Sequence, residues 1–225
     1  ISNVDIEWFN RLVLEGLYLE DQDGKVMFEA NHVAAGFEIM PLLEGKFVFT
    51  TVRLFGFSFN LRKHTPESPL NLQFVIDAFA SKDSIKKEKN IDLRFNSIMI
   101  RRGNFSYNVD SEKETPGKFN AKHIDIKNLS AKISLKAFNK DSVNAHIKKM
   151  SFDEASGFSL NKLSLNVVGN RDSAFVQDFE VRLPQTNLKI GRARIDLSEI
   201  DSLPALLNNA PIDLNITPSQ ICLKD

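Results

Sequence analysis

Cysteine is almost absent from this chain, which has one, Cys222, among 225 residues. A single cysteine can form neither a disulfide framework within the chain nor a cysteine-rich zinc site. An oxidising compartment is still open to the protein, because disulfide-free proteins also fold there.

Long apolar runs are also missing. No stretch of about 18 apolar residues occurs, so the sequence predicts no membrane-spanning helix, and no segment has the pattern of a signal peptide. The chain begins without methionine, inside an alternating pattern of Val4, Ile6 and Trp8. We therefore expect a fragment of a longer protein, anchored by a segment that lies outside this sequence.

Net charge is absent as well, since 29 basic and 29 acidic residues cancel. Nucleic-acid binding needs a net basic face, so nucleic acid is not expected as a main partner. Three short basic runs remain, Lys86-Lys87, Arg101-Arg102 and Lys148-Lys149. We interpret them as solvated strand edges or loops, where lysine hinders unwanted strand pairing.

Catalytic and metal-binding patterns are not found. The four histidines, His32, His64, His123 and His146, are far apart and have no metal-ligand neighbours at useful spacing. Asp153 and Glu154 are adjacent, and neighbours in a strand point to opposite faces, so they cannot flank one substrate bond. The Asp-Gly turn at 21–24 lacks the further oxygen ligands of a calcium loop. We expect no enzyme, no metal and no cofactor.

The chain is rich in short runs that alternate apolar and polar residues. Phe55, Phe57, Phe59 and Leu61 alternate with small or polar residues, and the same period recurs around positions 91–95, 105–109, 133–137, 163–167 and 193–197. Such runs predict strands with one apolar and one polar face. Their spacing of roughly 8 to 12 residues favours antiparallel meanders. We predict a mainly β fold, a curled, groove-like sheet with one or two short helices.

Local signals refine this organisation. Gly16 separates Leu12-Leu14 from Leu17-Leu19 and indicates a change of register, as at a bulge. Asp23-Gly24 predicts a hairpin. Ser68 as N-cap and Pro69 in the first turn predict a helix over 69–80, and a shorter helical turn is predicted at 41–44.

Four regions follow from these signals. We expect strands plus a short helix over 1–80, a polar loop over 81–90, repeated strands over 91–200, and over 201–225 a short helix or linker with the start of a further, truncated repeat. Within them phenylalanine is unusually common, with 18 against one tryptophan and two tyrosines. Phenylalanine has no polar tip, so it suits a dry core and an acyl chain equally well.

Four stretches together resemble the AsmA-like, TamB-type envelope proteins of Gram-negative bacteria. They are 5–30 with its Asp23-Gly24 turn, 41–46 with the strand and helix that follow, 98–107 around Arg102-Gly103-Asn104, and 156–167 followed by 183–188 with Leu183-Pro184. The order of these stretches is more specific than any one of them. The resemblance implies a periplasmic β structure that curls into a groove with an apolar floor and passes lipids between the inner and outer membranes.

Two interpretations follow for the apolar faces. In the first, they form a lipid conduit with acyl chains as the ligand, an inner-membrane anchor elsewhere in the full-length protein and an outer-membrane partner protein. The residues expected to line it are Phe55, Phe57, Phe59, Leu61, Ile91, Leu93, Phe95, Ile133, Leu135, Leu163, Leu165 and Val167. In the second, two such faces meet in a closed β-sandwich that serves as a structural or adhesive module of the cell envelope.

Overall fold

A computed structural model describes residues 1–7, 10–40, 48–80, 94–139, 142–197 and 211–222 of the chain. The described strands are β1 Asn3–Glu7, β2 Arg11–Glu20, β3 Val26–Phe37, β4 Val48–Lys63, β5 Arg94–Val109, β6 His123–Asn139, β7 Ser142–Glu154, β8 Ser159–Asn170, β9 Ser173–Arg182, β10 Asn187–Asp196 and β11 Ile212–Ile216, and helix α1 spans Gln73–Ala80. The mainly β fold predicted from alternation is confirmed.

All eleven strands belong to one curled sheet, in which every strand pairs with the next strand along the chain. The sheet is open, with β1 and β11 as its two edges. Nine neighbouring pairs are antiparallel, whereas β4 and β5 run parallel. A parallel pair needs a long crossover connection, and here the connection from 64 to 93 includes α1. The sheet is therefore mixed, with one parallel step inside an otherwise antiparallel meander.

The predicted helix is confirmed, but its start is not. Helix α1 begins at Gln73, and Ser68 instead closes the preceding turn, where its hydroxyl accepts a hydrogen bond from the Thr65 amide at 3.2 Å. The N-cap assignment of Ser68 was therefore wrong. The predicted turn at 41–44, the loop at 81–90 and the helix within 201–209 lie outside the described residues.

A polar network joins the β2–β3 hairpin to the start of the crossover. Asp21, whose side chain is buried, accepts hydrogen bonds from Arg62 Nη2 at 3.0 Å and from Asn71 Nδ2 at 3.1 Å. The Asp21 carboxylate also accepts a hydrogen bond of 2.9 Å from the backbone N–H of Lys25. The Oδ1 atom of Asn71 in turn accepts a hydrogen bond from the backbone N–H of Arg62. The conformation of the 21–24 turn thereby fixes where the chain leaves β4.

This network determines the pKa of Asp21. Burial alone would raise the pKa, but the hydrogen bonds from Asn71 and the turn amides, with the nearby Arg62 charge, outweigh burial and lower the pKa below its usual range. The two most completely buried large side chains, Met27 and Val109, lie at the same end of the sheet. The best-packed part of the molecule is therefore this end, near the crossover.

A line of unusual backbone crosses strands β2 to β6. Left-handed φ values of 53° to 59° occur there at Gly16, Gly56, Arg102 and Asn128, which the strand register aligns, and we call this line the crease. Asp178 of β9 also has a left-handed φ, of 52°, but lies apart from this line. Arg102 is the least expected of these, because left-handed backbone favours glycine, asparagine and aspartate. On both sides of the crease the apolar residues alternate regularly, but across it their spacing changes from two residues to three, as from Leu54 to Phe57. In β4, for example, the apolar side chains before the crease are at even-numbered positions such as Leu54, and those beyond it are at odd-numbered positions such as Phe57.

Candidate functional site

Strand pairing aligns the apolar residues into rows that cross the sheet. One row runs through Val4, Leu14, Val33, Leu54, Ile100, Ala131, Met150, Leu163, Val181 and Leu188. A second runs through Ile6, Leu12, Ala35, Val52, Ile98, Ile133, Ile147 and Leu165. A third runs through Phe37, Phe49, Phe95, Leu135, Ala145, Val167, Val176, Ala193 and Leu214. No polar residue interrupts any of these rows.

A fourth row lies beyond the crease and is aromatic. It joins Leu19, Phe28, Phe59, Phe105 and Ile126. The Phe28 and Phe59 rings meet edge to face with centroids 5.8 Å apart, and the Phe59 and Phe105 rings do the same at 6.1 Å. These edge-to-face contacts are the favoured geometry for aromatic pairs.

The rows on both sides of the crease share one face of the sheet. Arg102 lines a cavity with Phe55 and Lys132, and it also lines a second cavity with Ser58 and Asn104. Because the Arg102 guanidinium lies over the Phe55 ring and Arg102 borders both cavities, we assign these neighbours to one side of the sheet, which we call the polar face. Leu54 and Phe57, which alternate with them, therefore share the opposite side, which we call the apolar face.

The apolar face is neither buried nor fully exposed. Its large side chains in the middle strands, such as Leu54, Ile133 and Leu165, are half-buried. At the edge strands exposure rises, to 63% for Ile6 and 57% for Ile216. Within the described elements, strands contact their sheet neighbours and no second layer packs across them. Interior residues of a closed core are instead typically fully buried.

The structure separates Phe55 from the other predicted lining residues of its strand. Phe55 is 39% exposed and lies on the polar face, under the Arg102 guanidinium. The Cζ atom of Arg102 is 5.6 Å from the centroid of the Phe55 ring. Phe57 is 6% exposed, and its ring stacks on Phe28 at 6.1 Å. The left-handed backbone at Gly56 accounts for this difference. Placing Phe55 on the same face as Phe57 was therefore wrong.

Most of the remaining predicted lining residues come together on the apolar face. They are Phe57, Phe59, Leu61, Ile133, Leu135, Leu163, Leu165 and Val167, and the backbone register places Phe95 between Phe49 and Leu135. Ile91 and Leu93 lie outside the described residues. Sequence reasoning missed Leu54, Ile98, Ile100 and Ile147, although the two-residue spacing of Val52 with Leu54 and of Ile98 with Ile100 was a usable signal.

A basic cavity on the polar face was also missed. The runs Arg101-Arg102 and Lys148-Lys149 lie in the interior strands β5 and β7, not at edges. Together with Lys132 they line a cavity of about 570 Å³. The interpretation as strand edges or loops was therefore wrong for both runs, although these side chains are exposed; Lys86-Lys87 lies outside the described residues.

The described residues contain no group of three His, Cys, Asp or Glu side chains arranged to hold a metal ion. Nor does any helix within the described ranges have the length and apolar character needed to cross a bilayer. Comparison of the chain with protein-family models and with curated proteins finds no match.

Proposed function

We propose that this chain is a segment of a lipid conduit, in which the apolar face carries acyl chains. The observation that carries the proposal is a single open sheet whose apolar rows run uninterrupted from strand to strand and stay half-exposed in the described structure. A water-facing surface of this kind is costly unless something apolar covers it. A hydrocarbon chain is a suitable cover, because it needs no polar partner.

The dimensions suit this ligand. Strands lie about 4.8 Å apart, so the longest row, which crosses ten strands, extends roughly 43 Å. One leaflet of a bilayer is about 15 Å of hydrocarbon, so the rows are long enough for about three acyl chains end to end. Each methylene removed from water contributes about 0.8 kcal/mol.

The rows also suit movement of the ligand. Successive positions along a row, such as Leu54, Ile100 and Ala131, offer similar aliphatic surfaces and no charge. A chain that slides by one strand spacing exchanges one contact for an equivalent one. The head group can stay in water beyond the rows, so transfer requires no catalytic residue.

The resemblance to AsmA-like, TamB-type proteins supplies the setting of this proposal. It places the conduit in the periplasm, in outer-membrane biogenesis, with phospholipid as cargo. It also implies an inner-membrane anchor in the full-length protein and an outer-membrane partner at the far end. The alternative, a closed β-sandwich module, is less well supported, because two facing sheets would bury Ile133 and Leu165, which are half-exposed here.

Site-specific photocrosslinking in the native cell envelope tests the proposal. A benzophenone amino acid at Ile133 should yield adducts that carry phospholipid mass, because this position lies mid-row on the apolar face. The matched control is the same probe at Ser134, the next residue on β6, which faces the other way. Equal lipid adducts at both positions, or protein adducts alone at Ile133, would contradict the proposal.

A further inference from the structure

The basic cavity on the polar face is chemically distinct from the apolar rows. Arg101, Arg102, Lys132, Lys148 and Lys149 line it, and no carboxylate of the described residues does. Five positive side chains thus converge in a chain whose total charge is zero. Phe55 and Met99 supply an apolar part of the wall.

These five cations lack acidic partners among the described residues. None of them makes an ion pair there, whereas other basic side chains of the sheet do. Lys162 and Arg182 both pair with Glu180, and Arg62 pairs with Asp21 and Asp23. The cavity is therefore a concentration of unneutralised charge.

The arrangement is also unfavourable in the empty protein. Lys132 of β6 and Lys149 of β7 are directly opposed cross-strand neighbours, and like charges in this position destabilise a sheet. Arg102 holds a left-handed φ of 53°, which is costly for a residue with a Cβ. An anion bound between these side chains would offset the repulsion.

We propose that this cavity binds a compact ligand with two or more phosphate groups. Arginine forks bind phosphate oxygens bidentately, and lysines add point charges. The volume of about 570 Å³ lies in the range of small-ligand sites, roughly 300–1,000 Å³. The ligand is a phosphorylated small molecule or the phosphorylated head group of a lipid, and the site is independent of the lipid conduit on the opposite face.

Isothermal titration of the whole chain with inositol hexakisphosphate and with pyrophosphate tests this proposal. The variant is Lys132→Gln with Lys149→Gln, which should fold because it removes a repulsive pair. The matched control is Lys113→Gln with Lys122→Gln, which removes two exposed charges from the loop between β5 and β6. We expect saturable binding to the parent and the control, and at least about tenfold weaker binding to the cavity variant.

Two further arms identify the source and the class of the ligand. Phosphatidylcholine vesicles with a phosphatidylinositol bisphosphate are compared with vesicles that carry phosphatidylserine. Binding that needs the bisphosphate head group assigns a lipid source, whereas binding of the soluble phosphates alone assigns a free one, and both support the site. Absence of saturable binding to every phosphate probe, equal loss in the control variant, or tighter binding of single-stranded DNA than of inositol hexakisphosphate would overturn it.

Discussion

Phe55 and Phe57 are two residues apart in one strand, yet they serve different faces of the sheet. The Phe57 ring lies over Gly103 of the parallel neighbour β5, where a Cβ would collide with ring atoms Cε1 and Cζ. Glycine at 103 therefore makes room for an aromatic ring that is only 6% exposed. Phe57 is accordingly a packed part of the apolar face, in contrast to the half-exposed residues of the rows.

Gly103→Ala should destabilise the protein by about 1–3 kcal/mol, because the added methyl group forces the Phe57 ring out of its position. The measurement is urea denaturation followed by circular dichroism. Phe57→Leu should remove most of the clash, so the double variant should cost less than the sum of the two single changes. Strict additivity of the two costs would contradict the packing described here.

Asp21 is the second residue on which the fold depends, because it joins the hairpin turn to Arg62 and Asn71. Asp21→Ala removes the buried carboxylate that Arg62 and Asn71 share, while Asp23 and Asp110 remain beside Arg62, and it should cost about 1–3 kcal/mol. Glu112→Gln, in an exposed loop, is the control and should change the free energy of unfolding little. A cost below that of the control change would show that the network does not hold the crossover.

The pH dependence of stability follows from the lowered pKa of Asp21. The unfolded pKa is about 3.9, so the stabilisation from ionised Asp21 is fully present above that pH and is lost as the pH falls through the lower folded value. Thermal unfolding between about pH 4 and pH 2 should therefore depend less on pH in Asp21→Asn than in the parent. The same slope in both proteins would contradict the assignment.

The crease is the feature of the strands that sets the orientation of their side chains. Alternation within each run predicted the strands and most lining residues, and Gly16 gave a correct signal of a change. Arg102 gave none, because arginine does not favour a left-handed backbone, and Asn128 gave only a weak signal, since asparagine adopts this backbone more readily. Counting every second residue across Gly56 therefore misplaced Phe55. Alternation also carries no information about strand direction, so the parallel β4–β5 pair could not be predicted from it.

Two strand glycines, one in the crease and one outside it, offer a matched comparison. Gly56 has a φ of +58° and a Cβ there would lie 2.5 Å from Asn31 Nδ2, whereas Gly191 has no left-handed φ and its nearest neighbour would be Thr217 Cγ2 at 3.4 Å. Gly56→Ala should therefore lower the free energy of unfolding by about 1–2 kcal/mol. Gly191→Ala should cost less or even stabilise. The account of the crease would be wrong if the two changes had equal effects in chemical denaturation.

At the scale of the whole molecule, the two faces of one sheet have opposite chemistry. The apolar face presents continuous aliphatic and aromatic rows, and the polar face presents a cavity lined by five cations that form no ion pair within the described ranges. A single layer exposes both faces at once, which a two-layer sandwich cannot do. This geometry is the basis of our proposal that hydrocarbon binds on one side of the sheet without being enclosed.

The central claim is that acyl chains bind the apolar face, and native mass spectrometry of the purified chain tests it most directly. Ile133→Asp and Ser134→Asp add the same charge to adjacent residues of β6, on the apolar and polar faces respectively. The parent and Ser134→Asp should carry co-purifying phospholipid, and Ile133→Asp should lose most of it while its circular dichroism still shows a folded sheet. A lipid-free parent, or equal lipid on the two folded variants, would contradict the account.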